Sequence, residues 1–479
     1  MTIGKWFGDT IPKMFSDTTI HDLVRWTGGE LFFCPNDRKT VTSLSTDSRS
    51  LKAGEVFVAL RGENYDGHKF LTQAAEKGAL LLLSEEKIQN SLPQLIVHNS
   101  LIALSDIAKN LRSHFTGPVV SITGSAGKSS TKDMLATLLG EKTLKSPASF
   151  NNLLGVSKTL CLIQDSTEQI VLEMGMSGLG EIKEMCEIFE PTLGCITNIG
   201  EAHLGKLGTQ EGIYTAKKEL FDWLAKNPKS EGIALNLDDA LVCKAFKTIT
   251  DKKIKTVAYS ALGNPEAQVK LSHQELDPSS AFLKLTIEIE KEILNVSVPI
   301  FGLHHSNNLL AAVSLALLRG VSVKEIKKRL PELKPALHRG EIHKLKDGKV
   351  LIDESYNSNP IALASSLETL KQVDWAHRMV IVIGQMNELG DFSKEKHTEA
   401  GTLLVKLFGK KNIHLITVGK ECDVLIESIC DKVPGWTLNS FADVKELAAQ
   451  FAAFIQTNDL IYLKGSNGIR LFDLIPFVQ

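Results

Sequence analysis

The sequence predicts an α/β protein of about three domains: a small α/β domain, a central domain with a parallel sheet and an antiparallel appendage, and a C-terminal doubly wound, Rossmann-like domain. The length determines the number of domains, because 479 residues are too many for one hydrophobic core. Aliphatic runs alternate with helical periodicity along the chain, which predicts parallel sheets covered by helices. A hydrophobic fraction of 43% and a charged fraction of 23% are typical of a globular protein.

The first domain is predicted to span residues 1–113. Short apolar runs alternate there with segments whose apolar residues recur at helical spacing. The predicted strands are 56–60 and 79–83, and the predicted helices are 69–77 and 102–115. A glycine and a proline between positions 114 and 118 indicate a joint to the next domain.

The central domain, residues 114–330, opens with a phosphate-binding loop. An apolar strand leads into two glycines, which let backbone N–H groups surround an anion. The lysine that follows can reach the terminal phosphates of a nucleotide, and one of the next two serines can bind Mg²⁺. The alternative is a turn with an exposed lysine, but the strand before the loop and the helical pattern after it favour phosphate binding. The residues concerned are Gly124, Gly127, Lys128, Ser129 and Ser130.

Strand and helix patterns continue to the end of the chain. In the central domain, strands are predicted at 170–173, 194–199 and 232–236, and helices at 212–224 and 307–318. Residues 282–289 alternate apolar and polar side chains, which indicates an antiparallel appendage rather than another βα unit. The C-terminal domain, 331–479, is predicted to be doubly wound. Its strands are 349–353, 379–384, 413–418 and 459–464, and its helices are 362–373, 394–408 and 441–455.

Polar residues follow several of these strands, at the sheet edge where open α/β sheets bind ligands. Glu173 ends one strand and could hold the Mg²⁺ of a nucleotide, or it could cap the next helix. Beyond the next strand, His203 is either a metal ligand or a surface residue. Asp353 could accept hydrogen bonds from ribose hydroxyls, and Asn357 and Asn359 could bind amide or phosphate groups, unless this segment is only a turn fixed by asparagine and proline.

The composition does not indicate a nucleic-acid-binding, membrane or secreted protein. The formal net charge of −2 does not favour nucleic acid or an acidic membrane as a partner. The seven cysteines are scattered, without the close pairs of a zinc or redox site. The sequence shows neither a signal-peptide core nor an apolar run of about 20 residues, the length of a membrane span. We therefore expect a cytoplasmic enzyme with reduced thiols and no membrane insertion.

Several motifs together resemble the ATP-dependent Mur ligases, which build the peptide stem of peptidoglycan. The first domain resembles the uridine-nucleotide domain of two members in residues 54–62 and in Thr46-Asp47-Ser48-Arg49. The central domain resembles the family in Gly124-Ser125-Ala126-Gly127-Lys128-Ser129-Ser130 and in Asn151-Asn152-Leu153-Leu154-Gly155-Val156. Segments 353–360, 384–390 and 464–466 are similar to the member that joins D-alanyl-D-alanine to UDP-N-acetylmuramoyl-tripeptide.

The resemblance implies roles for individual residues. Lys128 would contact the β- and γ-phosphates of ATP, while Ser129 and Glu173 would bind one Mg²⁺ ion. His203 would bind a second Mg²⁺ together with Lys217, which matches a lysine that becomes carbamylated. Taken alone, Lys217 and its neighbours Lys218 and Glu219 indicate a solvated charged face. The remaining nucleotide contacts would be Asn308, Arg339 and Asp353, and the remaining substrate contacts Ser48, Arg49, Asn151, Asn152, Tyr356, Asn357 and Asn359.

The resemblance also implies the activity, an amide-forming ligase that acts through an acyl phosphate. Its partners would be ATP, two Mg²⁺ ions and the two substrates named above, and we expect a monomer. Three positions depart from the family pattern, since His305 replaces an asparagine, His338 a glycine and Gln385 an aspartate. Two alternatives are a folylpolyglutamate synthase, which shares the ligase core but lacks the uridine domain, and a non-catalytic nucleotide-binding regulator of wall synthesis.

Overall fold

The computed structural model describes residues 18–62, 65–200, 209–249, 254–387 and 389–478. They form two compact units. The first unit extends to Ala258 and includes Ser314–Gly320, and the second comprises Tyr259–Val313 and the chain from Val321 onward. Among the described residues, no helix is both long enough and apolar enough to cross a membrane.

The first unit begins with a small α/β domain. Its strands are β1 (Glu30–Phe32), β2 (Leu44–Ser45), β3 (Val56–Val58), β4 (Arg61–Gly62), β5 (Tyr65–Asp66), β6 (Leu81–Ser84) and β7 (Gln94–Ile96). Its helices are α1 (Ile20–Thr27), α2 (Leu71–Glu76) and α3 (Ser100–His114). One sheet has the order β1-β7-β6-β3-β2, parallel except for β1, and β4 pairs with β5. The strands and helices predicted in this region are confirmed, with α2 preceded by a 3-10 turn at Gly67–Phe70.

The first unit continues with a parallel sheet. Its strands are β8 (Val119–Thr123), β9 (Thr143–Lys145), β10 (Gln169–Glu173), β11 (Leu193–Ile196) and β12 (Gly232–Asn236). The helices are α4 (Lys128–Leu139), α5 (Leu153–Leu160), α6 (Glu181–Phe189), α7 (Gln210–Lys226) and α8 (Ala240–Lys247). The strand order β12-β11-β8-β10-β9 is parallel throughout. Every residue of β8, β11 and β12 is buried, as expected for parallel strands covered by helices on both faces.

A buried arginine joins these two parts of the first unit. Arg112, near the end of α3, donates hydrogen bonds to the backbone carbonyls of Phe189 (2.7 Å), Phe115 (2.6 Å) and Glu190 (3.1 Å). A buried guanidinium is stable only when its donors are satisfied, so these contacts fix α3 against the end of α6. The predicted joint at 114–118 therefore lies within one compact unit, and the boundary between residues 113 and 114 stays a prediction.

The second unit begins with the antiparallel appendage. β13 (Thr256–Ser260) crosses the boundary between the units, and it is followed by β14 (Val269–Leu276), β15 (Leu283–Ile289) and β16 (Glu292–Val298). β15 pairs antiparallel with β14 and β16, and its residues alternate between buried and half-buried. The antiparallel appendage predicted at 282–289 is confirmed.

The second unit ends in another open sheet. Its strands are β17 (Glu341–Lys344), β18 (Val350–Asp353), β19 (Met379–Gly384), β20 (Ile413–Val418), β21 (Thr437–Phe441) and β22 (Leu460–Lys464). The α-helices from residue 305 onward are α9 (His305–Leu318), α10 (Val323–Arg329), α11 (Pro360–Leu370), α12 (Ser393–Phe408), α13 (Asp423–Glu427) and α14 (Val444–Phe454). The order β17-β18-β22-β19-β20-β21 is parallel apart from β17. The predicted α/β class is confirmed.

One predicted helix begins too early. Residues 441–455 were assigned to a helix, but Phe441 ends β21 and α14 begins at Val444. Asp443 caps α14, since its Oδ1 accepts hydrogen bonds from the backbone N–H groups of Lys445 (2.8 Å) and Glu446 (3.0 Å). β21 is an edge strand with only two buried or half-buried apolar side chains, so it lacks the continuous apolar run that identified its neighbours.

Candidate active site

The phosphate loop lies between β8 and α4, at the carboxyl end of the parallel sheet. Gly124 has a φ of +149°, and a Cβ atom placed on it would lie 1.8 Å from Thr197 Oγ1. Gly127 has a φ of +84° and precedes α4, which begins at Lys128. Both positions therefore require glycine, and the N-terminus of α4 presents its backbone N–H groups to an anion.

Residues that follow β11 hold the loop in place. Asn198 Oδ1 accepts a hydrogen bond from the Ala126 N–H (2.9 Å), and the Asn198 carbonyl accepts one from the Ser125 N–H (3.0 Å). Thr197 Oγ1 donates to the Ala126 carbonyl (2.6 Å), while the Gly200 N–H donates to Ser125 Oγ (2.9 Å). These contacts within the protein fix the loop conformation, which lowers the ordering cost when a phosphate binds.

Lys128 lies against the loop rather than in open solvent. Its half-buried side chain donates a hydrogen bond from Nζ to the Gly124 carbonyl at 2.7 Å. Ser129 and Ser130, the next residues of α4, are both buried. The predicted phosphate-binding residues of this segment are therefore held together at one helix N-terminus.

Glu173 faces the phosphate loop and does not cap the next helix. Its Oε2 accepts a hydrogen bond from Ser129 Oγ (2.7 Å), and its Oε1 accepts one from Asn151 Nδ2 (2.9 Å). The N-terminus of α6 is instead capped by Glu219, which accepts hydrogen bonds from the N–H groups of Gly180 (2.7 Å) and Lys183 (2.9 Å). The capping interpretation of Glu173 is therefore wrong, and Glu219 has that structural role.

The hydroxyl of Ser129 and the carboxylate of Glu173 fit a Mg²⁺ ion. Both supply hard oxygen donors, which Mg²⁺ prefers, and these donors are already adjacent beside the N-terminus of α4. The carboxylate is 1% exposed, so its hydrogen bonds to Ser129 and Asn151 compensate for its desolvation.

Lys132 belongs to the same cluster, and the sequence analysis did not identify it. Its side chain is fully buried, with Nζ 2.5 Å from the Ala148 carbonyl and 3.9 Å from Glu173 Oε2. It lies four residues after Lys128, the spacing that brings side chains onto one face of a helix. This spacing is the one sequence signal that could have identified Lys132.

Lys217 lies on the buried face of α7 and is only 1% exposed. Burial, with a smaller contribution from the positive charge of Lys128, lowers the pKa of Lys217 to about 7. The neighbouring Lys218 instead forms an ion pair with Asp222 (2.5 Å). The interpretation of both lysines as a solvated face is therefore wrong for Lys217. His203, the other predicted ligand of the second metal, lies outside the described residues.

The two candidates of the first domain lie on one loop. The buried Ser48 donates from Oγ to Gln73 Oε1 (2.7 Å), whereas the exposed Arg49 makes an ion pair with Asp47 (2.8 Å). Lys77 Nζ donates to the backbone carbonyls of Ser48 (2.7 Å) and Arg49 (2.9 Å), and Lys158 Nζ donates to Thr46 Oγ1 (2.9 Å). Two lysines thus contact this loop, which itself carries the ion pair of Asp47 and Arg49.

The paired asparagines after the phosphate-loop helix have different contacts. Asn151 donates to Glu173 and so belongs to the polar cluster beside the loop. Asn152 is the N-cap of α5, because its Oδ1 accepts a hydrogen bond from the Gly155 N–H at 2.9 Å. The predicted binding role of Asn152 therefore competes with a structural one.

The second unit brings together two of the predicted nucleotide contacts. Asn308 Nδ2 lies 3.4 Å from His305 Nδ1, and the guanidinium of Arg339 stacks over the ring of Tyr356 at 3.8 Å. Burial lowers the pKa of His305 well below its usual value, and the nearby His304 and Arg339 lower it further. His305 is therefore neutral at physiological pH, beside the cation of Arg339.

The remaining candidates lie at the end of β18 and in the segment after it. Asp353 is fully buried, with Oδ1 accepting from the Ser355 N–H (3.0 Å) and Oδ2 lying 2.6 Å from His338 Nδ1. Asn359 is the N-cap of α11, because its Oδ1 accepts from the Ala362 N–H (2.8 Å). The Asn357 carbonyl accepts a hydrogen bond from Lys464 (3.3 Å). The interpretation of this segment as a turn fixed by asparagine accounts for Asn359.

Family models match most of the chain. The Mur ligase family catalytic domain matches residues 40–113, the Mur ligase middle domain residues 122–316, and the glutamate ligase domain of Mur ligases residues 338–467. For each sheet of the structure, most of the strands fall within the residue range of a single family model.

Individual proteins are similar over nearly their whole length. A UDP-N-acetylmuramoyl-tripeptide–D-alanyl-D-alanine ligase from Synechocystis is 32% identical over 438 residues, which cover 90% of each chain. A crystal structure of MurF from Acinetobacter baumannii aligns with a TM-score of 0.85 and 27% identity, covering 98% of this chain and 99% of that chain. MurF from Thermotoga maritima, in complex with ADP, aligns with a TM-score of 0.73 and 26% identity, covering 91% and 96%.

Proposed function

Because this chain belongs to the Mur ligase family, we propose that it is the ATP-dependent ligase that adds D-alanyl-D-alanine to UDP-N-acetylmuramoyl-tripeptide in peptidoglycan precursor synthesis. The observation that carries this proposal is the 32% identity over 90% of the chain to a ligase of that name. The site geometry supports the chemistry, and the relatives support the choice of substrates. We infer a cytoplasmic location because ATP and a nucleotide-linked precursor are the proposed substrates.

The proposed reaction forms an amide through an acyl phosphate. A carboxylate oxygen of the tripeptide attacks the γ-phosphorus of ATP, and the bond from that phosphorus to the oxygen of ADP breaks. The amine of D-alanyl-D-alanine then attacks the acyl carbon, phosphate leaves, and the nitrogen loses a proton to give the amide. Lys128 and the N-terminal N–H groups of α4 stabilise the negative charge on the transferred oxygens.

Ser129 and Glu173 would hold one Mg²⁺ ion, and His203 with carbamylated Lys217 would hold a second. Bound Mg²⁺ supplies positive charge that neutralises the phosphate oxygens. Carbamylation needs the neutral amine, and a pKa of about 7 leaves a large fraction of Lys217 neutral at physiological pH. The neutral amine would add to the carbon of CO₂, forming an N–C bond and releasing one proton, and the resulting carbamate would turn a cationic side chain into an anionic metal ligand.

The remaining contacts of the proposal are distributed over both units. Ser48 and Arg49 would bind the uridine diphosphate, and the cations around their loop support an anionic ligand there. Asn151 would contact the tripeptide substrate. Asn308, Arg339 and Asp353 would contact ATP, and Tyr356, Asn357 and Asn359 would contact the amine substrate.

Phosphate release from ATP by the purified protein tests the proposal. We expect release only when UDP-N-acetylmuramoyl-tripeptide and D-alanyl-D-alanine are both present. Release that does not require both substrates would contradict it. Release that requires glutamate and a folate instead would identify a folylpolyglutamate synthase. Nucleotide binding without any turnover would favour the non-catalytic regulator.

The carbamate proposal has its own test in Lys217→Ala. We expect this variant to lose turnover, and high bicarbonate cannot restore it because the amine is gone. Lys218→Ala, which changes the adjacent half-buried lysine that pairs with Asp222, is the matched control and should keep its turnover. Turnover near the wild-type level in Lys217→Ala would exclude the carbamate.

A further inference from the structure

The three segments that resemble the D-alanyl-D-alanine-adding ligase meet at one edge of the open sheet in the second unit. Segments 353–360, 384–390 and 464–466 begin at the last residues of β18, β19 and β22. These strands are parallel neighbours in the order β18-β22-β19, so their carboxyl ends lie together at the edge where open α/β sheets bind ligands. The proposed function uses the first segment for the amine substrate and leaves the other two without a role.

Two glycines bring the segments after β19 and β22 close together. A Cβ atom placed on Gly465 would lie 2.9 Å from the Cα atom of Gly384, which is closer than Cβ contacts in proteins come. A Cβ atom placed on Gly384 would lie 3.1 Å from the Cα atom of Gly465. Side chains at these positions would push the two segments apart. The next residue, Ser466, is thereby placed beside the segment that follows β19.

Ser466 joins its own segment to the other two through hydrogen bonds. Its Oγ accepts a hydrogen bond from the Asn387 N–H (2.9 Å) and donates one to the Ser358 carbonyl (3.3 Å). Its backbone N–H donates to the Gln385 carbonyl (3.3 Å). A serine hydroxyl carries one donor hydrogen and accepting lone pairs, so this side chain fills both roles at once. The residue is only 4% exposed, which limits the competition from water for these hydrogen bonds.

A buried histidine fixes the neighbouring residue of the segment after β19. His397 of α12 accepts a hydrogen bond at Nε2 from the Met386 N–H (3.1 Å), and its Nδ1 donates to the Ser393 carbonyl (2.8 Å). These partners determine the tautomer, because a backbone N–H only donates and a carbonyl only accepts. Met386 is therefore held independently of Ser466, whose hydroxyl then connects this held segment to Ser358.

We propose that Ser466 is a positioning residue for the amine substrate. Ser358 lies between Asn357 and Asn359, which are proposed to contact D-alanyl-D-alanine. The hydrogen bond from Ser466 to the Ser358 carbonyl fixes the backbone that carries these contacts. Lys464 supports the same backbone, since its Nζ donates to the Asn357 carbonyl (3.3 Å). The inference rests on the proposed function, which supplies the amine substrate, and it requires no contact between Ser466 and that substrate.

Steady-state kinetics, with each substrate varied in turn, test this role. Ser466→Ala should raise the KM for D-alanyl-D-alanine about five- to tenfold, the effect of about one hydrogen bond. The KM values for ATP and UDP-N-acetylmuramoyl-tripeptide should stay within about twofold of the wild type, because the altered segments carry the amine contacts. Ser428→Ala removes a hydroxyl that donates to the Leu425 carbonyl (2.8 Å), and this matched control should keep the wild-type KM values.

Hydrogen exchange at single residues measures the structural part of the inference without ligase activity. In Ser466→Ala the Asn387 N–H loses its acceptor and should exchange at least about fivefold faster. The Met386 N–H, which His397 holds, should keep its wild-type rate. Ser466→Thr retains the hydroxyl, so it should show the wild-type exchange rate at Asn387 and a KM for the amine near the wild-type value.

Three results would overturn the proposal. The first is an unchanged exchange rate at Asn387 in Ser466→Ala, and the second is an unchanged KM for D-alanyl-D-alanine in that variant. The third is a rise in KM that ATP, the tripeptide and the amine share equally, since a general loss of structure would cause it. A wild-type protein that does not use D-alanyl-D-alanine would contradict the proposed function itself, and the exchange rates would then still decide whether Ser466 joins the segments.

Discussion

The phosphate loop with Glu173 and the segment that follows β18 have the same plan, polar residues at the end of a buried parallel strand, but the structure uses them differently. Beside the loop, Ser129 and Asn151 direct polar groups to Glu173, and the glycines leave backbone N–H groups for an anion. At the end of β18, both carboxylate oxygens of Asp353 are hydrogen-bonded within the chain, and farther along Asn359 caps a helix. A motif rich in polar residues therefore suggests more ligand contacts than the site provides, because some of those residues are used in helix caps and turns.

The largest effect is expected from Lys128→Met. If the loop is the phosphate site, removing this cation should lower phosphate release by more than about 100-fold, because its charge stabilises the transferred oxygens. Lys142→Met, which changes an exposed lysine of the same unit, should leave release unchanged. Equal activity of the two variants would show that the loop is an ordinary turn and that Lys128 does not act on the phosphates.

A smaller loss of turnover is expected from Glu173→Gln. The amide retains the shape of the side chain but binds a divalent cation more weakly, so saturation should need about 10-fold or more additional Mg²⁺. Measuring phosphate release across a Mg²⁺ titration checks this, with the exposed Glu168→Gln as control. An unchanged Mg²⁺ dependence would show that Glu173 supports the loop without binding the metal.

The prediction for Lys217→Met concerns the stability of the fold rather than turnover. The folded-state pKa of Lys217 is about 7, and each pKa unit corresponds to about 1.36 kcal/mol, so burying this amine destabilises the fold by a few kcal/mol. Because the folded pKa lies below the unfolded one, the penalty is complete below about pH 7 and decreases as the pH rises toward 10.5. Lys217→Met should therefore be more stable than the wild type at pH 7 and gain less at pH 9.5.

Urea denaturation in CO₂-free buffer at both pH values measures this difference, and Lys218→Met controls for the loss of a lysine on the same helix. A gain in stability that is equal at the two pH values would show that the amine is not buried as a titrating group. A gain in stability together with a loss of turnover would identify Lys217 as a residue retained for function.

The smallest effect is expected from Asn359→Ala. Loss of the N-cap of α11 should lower the free energy of unfolding by about 1 kcal/mol, whereas Asn359→Asp retains an acceptor and should lose less. Asn152→Ala removes the corresponding cap of α5 and should behave in the same way. A large rise in the KM for D-alanyl-D-alanine in both Asn359 variants would support the proposed substrate contact, whereas a loss of stability with an unchanged KM would limit Asn359 to its role as a helix cap.

Most elements could be predicted from the sequence, because their signals are local. Strands such as β19 and β20 are continuous apolar runs, and β15 alternates along its length, so each carries its own pattern. The edge strand β21 lacked such a pattern, and its position depends on pairing with β20. The helix assigned to 441–455 began too early for the same reason.

The sequence by itself determined the α/β class, the phosphate loop and the family, because each of these depends on residues close together in the chain. Only the tertiary structure decided how individual side chains are used. Lys217 and Lys218 are adjacent in sequence, yet one is buried with a pKa of about 7 and the other is half-buried and forms an ion pair with Asp222. Likewise, Ser129 and Glu173 are 44 residues apart in the chain and meet at 2.7 Å. Burial and hydrogen-bond partners come from distant segments, so no local pattern encodes them.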